Sequence, residues 1–296
     1  MRINYKLTFC IACCAFLLAS MQSCEEKTAS KPTTPSMDTT GVSTSGTIKF
    51  EGEIISVPSP IQVATLIQKN NIPFKQELVN SVQNKTKYLN ETKKALNLGI
   101  YGADLAYISN YNLGQINNDY FDLMAGISAD LSILENIDKK MVNKLNSNLN
   151  NRDSILSLSS EFFRMADRYL KSNERTHLSN YILIGGWVES LHLASDGSLN
   201  NDELRGRLGE QKYSAESIKN LANRMEDPAF ATIKPALIQL CDMLSQLEST
   251  YTYRKPINDQ REKITFILSQ SSVILSNEEL SQISEQIKIV RNAIIE

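Results

Sequence analysis

Apolar residues that recur every three or four positions through most of the chain set the strongest limit on its fold. Leu123, Ile127, Leu131 and Leu134 fall on one stripe, and so do Ile155, Leu158, Phe162, Met165 and Tyr169. The same spacing joins Leu78, Val82, Leu89 and Leu96, then Leu237, Leu240, Leu244, Leu247 and Tyr251, then Leu280, Ile283, Ile287, Val290 and Ile294. Side chains three and four apart share a helix face, so each stripe predicts a helix that buries one side against its neighbours. Only residues 47–57 alternate like a strand, enough for one isolated strand or hairpin. The expected fold is all-α, a non-repetitive bundle of roughly eight to ten helices over residues 57–296. Leu98, Gly99 and Tyr101 resemble the opening of a helical repeat, but nothing recurs at the period of about 34 residues that such an array requires.

Punctuation agrees with the stripes. Ser59-Pro60 and Asp227-Pro228 each set a capping side chain before a proline suited to the first helical turn. Ser276 with Glu279 has the spacing of a capping box. Gly114 and Gly197 read as helix stops, and Pro235 predicts a kink or restart of the helix begun at Pro228.

The N-terminus has a different character. Arg2 and Lys6 precede an apolar stretch over residues 7–21, shorter than the roughly 20 residues needed to cross a bilayer. Met21-Gln22-Ser23-Cys24 follows, a small residue directly before a cysteine. The pattern predicts a lipoprotein signal over residues 1–23, cut before Cys24, whose thiol and new amine would carry acyl chains. Gln22 stands where a small residue is usual, and an ordinary export signal or uncleaved anchor with a coincidental cysteine is the alternative. Two or three acyl chains, each methylene contributing about 0.8 kcal/mol, hold a protein stably where one does not. Residues 25–47 are Ser, Thr, Pro, Lys and Gly with almost no large apolar side chain, which predicts a disordered stalk over residues 24–56 with an end-to-end distance of about 25–30 Å. The expected location is the cell envelope, on the periplasmic or surface face of an outer membrane.

Charge and cysteine content narrow the function classes. Removing Arg2 and Lys6 with the signal leaves 29 basic against 33 acidic residues, a balance that argues against nucleic-acid partners. Cys10, Cys13 and Cys14 leave with the signal, so Cys241 has no partner for a disulfide and reads as a small core residue. His177 and His192 are 15 apart, which fits no helical zinc pair, and there is no nucleophile elbow or phosphate-binding glycine loop. No cofactor, metal site or catalytic residue is expected.

Two segments concentrate polar groups among apolar ones. Residues 181–194 are apolar around nearly the whole circumference and predict a central helix. Gly185 and Gly186 inside it cost roughly 1 kcal/mol each relative to Ala, so a close helix crossing is expected to offset them. Glu189 and His192 share a face there, with His192 a candidate partner for a buried Glu189, and Trp187 reads as packing. In residues 99–111, Tyr101, Asp104 and Tyr107 share a face, and Gly99 and Gly102 would admit another backbone. If the two helices cross at their glycines, Tyr101, Asp104, Glu189 and His192 form a candidate polar site: a structural network, a ligand pocket, or an acid–base or metal site.

Three stretches together carry a resemblance: VPSP at 57–60, ALNLGIYGADLAY at 95–107 and GGWVE at 185–189. From about residue 57 to the C-terminus the chain resembles a group of helical lipoproteins of the Bacteroidota for which no activity is established. The resemblance implies an envelope location and a helical fold, and no chemistry. In such bacteria an acidic patch after the lipidated cysteine directs a lipoprotein to the outer face, and Glu25-Glu26 is a weak version of it.

Overall fold

The computed structural model describes residues 46–50 and 53–57 as backbone, then residues 59–111, 113–134, 143–144, 147–148, 151–259, 261, 263–266, 268–273 and 275–296. Residues 1–45, with the expected signal, Cys24 and most of the expected stalk, lie outside the described residues.

Ten α-helices and three antiparallel strand pairs occur among the described residues, so the fold is all-α with short strand pairs as attachments. Strands β1 (Gly46–Phe50) and β2 (Glu53–Val57) pair from Gly46↔Val57 to Phe50↔Glu53. This is the hairpin the alternation predicts, and it occupies the end of the span assigned by composition to the stalk. Helix α1 (Pro60–Lys69) starts on a reciprocal cap: Ser59 accepts from the Ile61 N–H and the Gln62 side chain accepts from the Ser59 N–H, each at 3.3 Å. After an irregular stretch come α2 (Glu91–Ser109), α3 (Gly114–Asp130), α4 (Arg152–Ser172) and α5 (Thr176–Ser198). Then follow α6 (Asp202–Gly209), α7 (Lys212–Asn223), α8 (Pro228–Ala231) and α9 (Lys234–Ser245). Strands β3 (Ser249–Thr252), β4 (Ile257–Asp259), β5 (Ile264–Phe266) and β6 (Gln270–Val273) precede the last helix, α10 (Asn277–Ile295).

The capping expectations at Asp227 and Ser276 hold: Asp227 accepts from the Ala229 N–H at 2.7 Å, and Ser276 and Glu279 cap each other. Pro235 restarts the chain as α9 after α8 ends at Ala231. The stripe Leu280, Ile283, Ile287, Val290 and Ile294 is buried along α10.

Four expectations are corrected. Leu78, Val82 and Leu89 are not on one α-helix: Leu78 ends a 3₁₀ turn (Gln76–Leu78), Val82 begins another (Val82–Lys87), and Leu89 is 86% exposed. The Ser81 hydroxyl accepts from the Gln83 N–H at 3.3 Å, a local bond that starts a tight turn in place of a longer helix. Gly114 begins α3 and does not stop α2, which ends at Ser109 because the Asn110 side chain donates to the Ala106 carbonyl at 2.8 Å. Tyr251 leaves the α9 stripe for β3, and β3 with β6 and β4 with β5 form two antiparallel strand pairs that helical periodicity does not show. The β-branched and aromatic run Thr250-Tyr251-Thr252-Tyr253, with Ile264-Thr265-Phe266, favours strands there, and Pro256 bars a helix. Gly102 faces the Phe163 ring of α4, not a backbone.

The core forms around α2 and α5, where every residue of 95–109 and of 184–195 is buried. They cross where the sequence places its glycines. A Cβ on Gly185 would lie 1.9 Å from the Leu96 carbonyl oxygen, and one on Gly99 would lie 2.0 Å from the Ile182 carbonyl oxygen. Both obstacles are backbone, which cannot swing aside as a side chain end can. A Cβ on Gly186 would meet the Gly99 oxygen at 3.4 Å, ordinary contact. Gly99→Ala and Gly185→Ala should therefore each destabilise the domain by about 3 kcal/mol or more, exceeding the gain in helix propensity of about 1 kcal/mol. Gly186→Ala should change stability by no more than about 1 kcal/mol. Urea unfolding of the three variants checks the ranking; equal losses at Gly185 and Gly186 would contradict the crossing.

Candidate functional site

Next to the glycine crossing, α2 presents Asp104 and α5 presents Glu189, both with no exposed surface. The partner of Glu189 is Arg291 of α10, not the expected His192. Its Nε donates to Glu189 Oε2 at 2.6 Å and its Nη2 donates to Oε1 at 2.8 Å, a two-pronged pairing of planar groups. Arg291 Nη2 also donates to the Leu78 carbonyl at 2.9 Å. Burial alone would lower the Arg291 pKa, but the Glu189 charge and its hydrogen bonds hold it above the ordinary value.

One guanidinium beside two buried carboxyls leaves one carboxyl uncompensated, and the structure assigns that position to Asp104. Asp104 Oδ2 accepts from the Asn80 N–H at 3.0 Å, while Oδ1 has no donor facing it. Burial pushes the Asp104 pKa well above its usual 3.8, and the nearby Glu189 charge and carboxyl, within hydrogen-bonding reach, push the same way; Arg291 opposes them. A proton on Asp104 would relieve the geometry, since its O–H could face a carboxylate that otherwise offers it only repulsion. The cluster is then one carboxylate, one guanidinium and one shared proton, with no net charge.

Tyr101 joins through a second ring of partners. Its hydroxyl donates to the Ser81 carbonyl at 2.9 Å and lies 3.4 Å from the Tyr88 hydroxyl. The Asn80 amide donates to Tyr88 at 2.9 Å, and Tyr120 donates to the Asn80 carbonyl at 2.8 Å. Four side chains thus serve the backbone of residues 78–81: Arg291 at Leu78, Asp104 and Tyr120 at Asn80, Tyr101 at Ser81. This is the irregular segment between α1 and α2, and Asn80 within it is 1% exposed. Non-helical backbone taken out of water needs a partner for each N–H and C=O, and the cluster supplies four: for the Leu78, Asn80 and Ser81 carbonyls and the Asn80 N–H.

His192 stands one turn beyond Glu189 with its Nδ1 buried and unpartnered. Burial lowers its pKa, Glu189 and the Leu78 carbonyl raise it, and Arg291 opposes the proton. The ring is neutral and does not pair with Glu189. Tyr107 turns elsewhere, accepting from the Lys75 N–H at 3.0 Å and stacking on Phe74. Trp187 packs in the core with its indole N–H on Gln211 at 3.0 Å. Cys241 is fully buried and its thiol is pushed up to about 12 by burial, with Asp242 adding to it. Among the described residues no three His, Cys, Asp or Glu side chains converge as a metal-binding group. A cleft of about 370 Å³ opens elsewhere, lined by His177, Asn180, Tyr181 and Arg224 among others, and it includes none of Tyr101, Asp104, Glu189 and His192.

Sequence reasoning reached Asp104, Glu189 and Tyr101 and missed Arg291, Asn80, Tyr88 and Tyr120. Arg291 carried a readable signal, because it interrupts the apolar face of α10 between Ile287 and Ile294. Its partner, 102 positions away, carried none. The chain matches no family model, no curated protein and no solved structure.

The shared proton makes a pH prediction. Folded Asp104 binds its proton more tightly than unfolded Asp104, so its contribution to stability is complete below about pH 3.8 and falls as pH rises toward the raised folded value. The slope is up to about 1.4 kcal/mol per pH unit. His192 runs the other way, since its lowered folded pKa adds stability as pH rises toward 6.5. Asp104→Asn keeps a donor toward Glu189 and an acceptor toward Asn80 but cannot ionise. It should match the wild type at pH 4 and exceed it at pH 8, whereas Arg291→Met should cost about 3–5 kcal/mol by stranding Glu189. Urea midpoints of the three proteins between pH 4 and 8 check this; an Asn variant weaker than wild type at pH 8 would contradict the neutral acid.

Proposed function

We propose that the chain is an envelope lipoprotein, tethered through acyl chains on Cys24, whose helical domain is a non-enzymatic binding or scaffolding module. The observation that carries the second half is the complete burial of Asp104 and Glu189. The acid pair singled out by sequence is sealed inside the bundle and engaged with Arg291 and the Asn80 backbone, so its chemistry goes to joining α2, α5 and α10 to the 78–81 segment. The crossing itself is closed by backbone, with the Leu96 carbonyl where a Gly185 side chain would stand.

The tether rests on Ser23-Cys24 behind the apolar segment 7–21 and on the stalk composition after it. Among the described residues no helix is long and apolar enough to cross a membrane. In cells fed radiolabelled palmitate, the wild-type chain should take up label and Cys24→Ala should take up none. Label retained by Cys24→Ala would overturn the anchor.

A further inference from the structure

We propose that the strand arm of residues 249–273 is a membrane-contacting element that docks on an anionic lipid surface. The arm leaves the bundle between α9 and α10. At its base, β3 pairs with β6 from Ser249↔Val273 to Thr252↔Gln270, and beyond it β4 pairs with β5 from Ile257↔Phe266 to Asp259↔Ile264. The register advances by one residue between the two pairs, on the side that holds Pro256. The base is fixed to the bundle: Val273 is buried against Gly209, and the Tyr213 hydroxyl bonds to the Ser271 hydroxyl.

The rest of the arm puts apolar surface into solvent. Tyr251 and Tyr253 are each 68% exposed, Ile257 56%, Ile264 48% and Phe266 41%. The strand register sets Ile257, Ile264 and Phe266 on one face, since 257 opposes 266 and side chains alternate along each strand. Six of the ten large apolar side chains that the described residues expose lie on the arm, with Leu268 the sixth. Their concentration in one short segment, three of them on one strand face, sets them apart from scattered surface leucines.

Charge selects the occupant. The arm carries Arg254, Lys255, Arg261 and Lys263 against Asp259 and Glu262, a net of +2 in a chain whose net charge is −2. Arg254, Lys255, Arg261 and Lys263 are all exposed. A second copy would bring a like-charged arm against this one. Tyrosine and phenylalanine between lysine and arginine match a bilayer interface: rings at headgroup depth, aliphatic tips below and cations on anionic phosphates. The proposal rests on the lipid-anchor reading for proximity to a bilayer, since a chain held there by a short stalk meets lipid at high effective concentration.

The test uses the full lipidated chain carrying Phe266→Trp, reconstituted in neutral phosphatidylcholine vesicles and in vesicles containing phosphatidylglycerol, each with acyl-brominated lipid. The native Trp187 is buried in the core, so subtracting the wild-type spectrum isolates the arm. The expected result in anionic vesicles is a blue-shifted emission quenched by the bromines, and loss of both when Arg254→Gln, Lys255→Gln and Lys263→Gln are added. Emission that stays at its aqueous wavelength and unquenched, while the protein floats with the vesicles, overturns the arm and leaves the anchor standing. A blue shift that appears without vesicles and grows with protein concentration identifies a second copy as the occupant and also overturns it. Protein that fails to float with neutral vesicles overturns the anchor, and quenching in anionic vesicles then decides the arm alone.

Discussion

The contact between the backbones of α2 and α5 is the constraint on which the interior depends. With no side chain at Gly99 or Gly185, the carbonyls of Ile182 and Leu96 occupy the space a methyl group would need. That approach fixes what stands next to it. Asp104 follows Gly99 by five positions and Glu189 follows Gly185 by four, so close helices deliver two carboxyls into one dry space. Two carboxylates there would repel strongly at low local dielectric. One guanidinium and one proton remove the conflict, and the cluster becomes neutral without leaving the core.

The same cluster explains how an irregular segment survives inside a helical bundle. Residues 79–81 lie between two short 3₁₀ turns, yet the Leu78, Asn80 and Ser81 carbonyls and the Asn80 N–H are met by Arg291, Asp104, Tyr120 and Tyr101. Replacing the charged pair with apolar side chains of equal volume is often harmless in other cores. Here it would take the Arg291 donor away from the Leu78 carbonyl, at a cost of about 1–3 kcal/mol. Polar groups that read in the sequence as possible chemistry are therefore also the hydrogen-bond supply of a buried turn.

What could be read from the sequence was local. The α10 stripe, the caps at Ser59, Asp227 and Ser276, and the restart at Pro235 each depend on residues within a few positions of one another. The glycine crossing was legible because two adjacent glycines in an apolar helix are costly unless something approaches closely. Arg291 was half legible, as a charge on an apolar face, but not its pairing with Glu189. The failures share one cause. Leu78, Val82 and Leu89 have helical spacing, but Ser81 and the clamp on residues 78–81 decide the local backbone, and the clamp comes from helices distant in sequence. In the arm, Tyr251 extends a helical stripe by number while its β-branched neighbours and Pro256 favour strands.

The arm and the core invert the usual placement of side chains. The bundle draws Asp104, Glu189, Arg291 and His192 inside, while Tyr251, Tyr253, Ile257, Ile264 and Phe266 stand in solvent. Burying a charge is costly and must be offset by partners, and the interior provides them. Exposing apolar surface is costly too, at roughly 25 cal/mol per Å² left in water, and the base of the arm meets the bundle through Val273. The arm's outer strands are held out by a base locked to α6 through Val273 and to α7 through Tyr213, so their exposed face is a fixed feature of the fold.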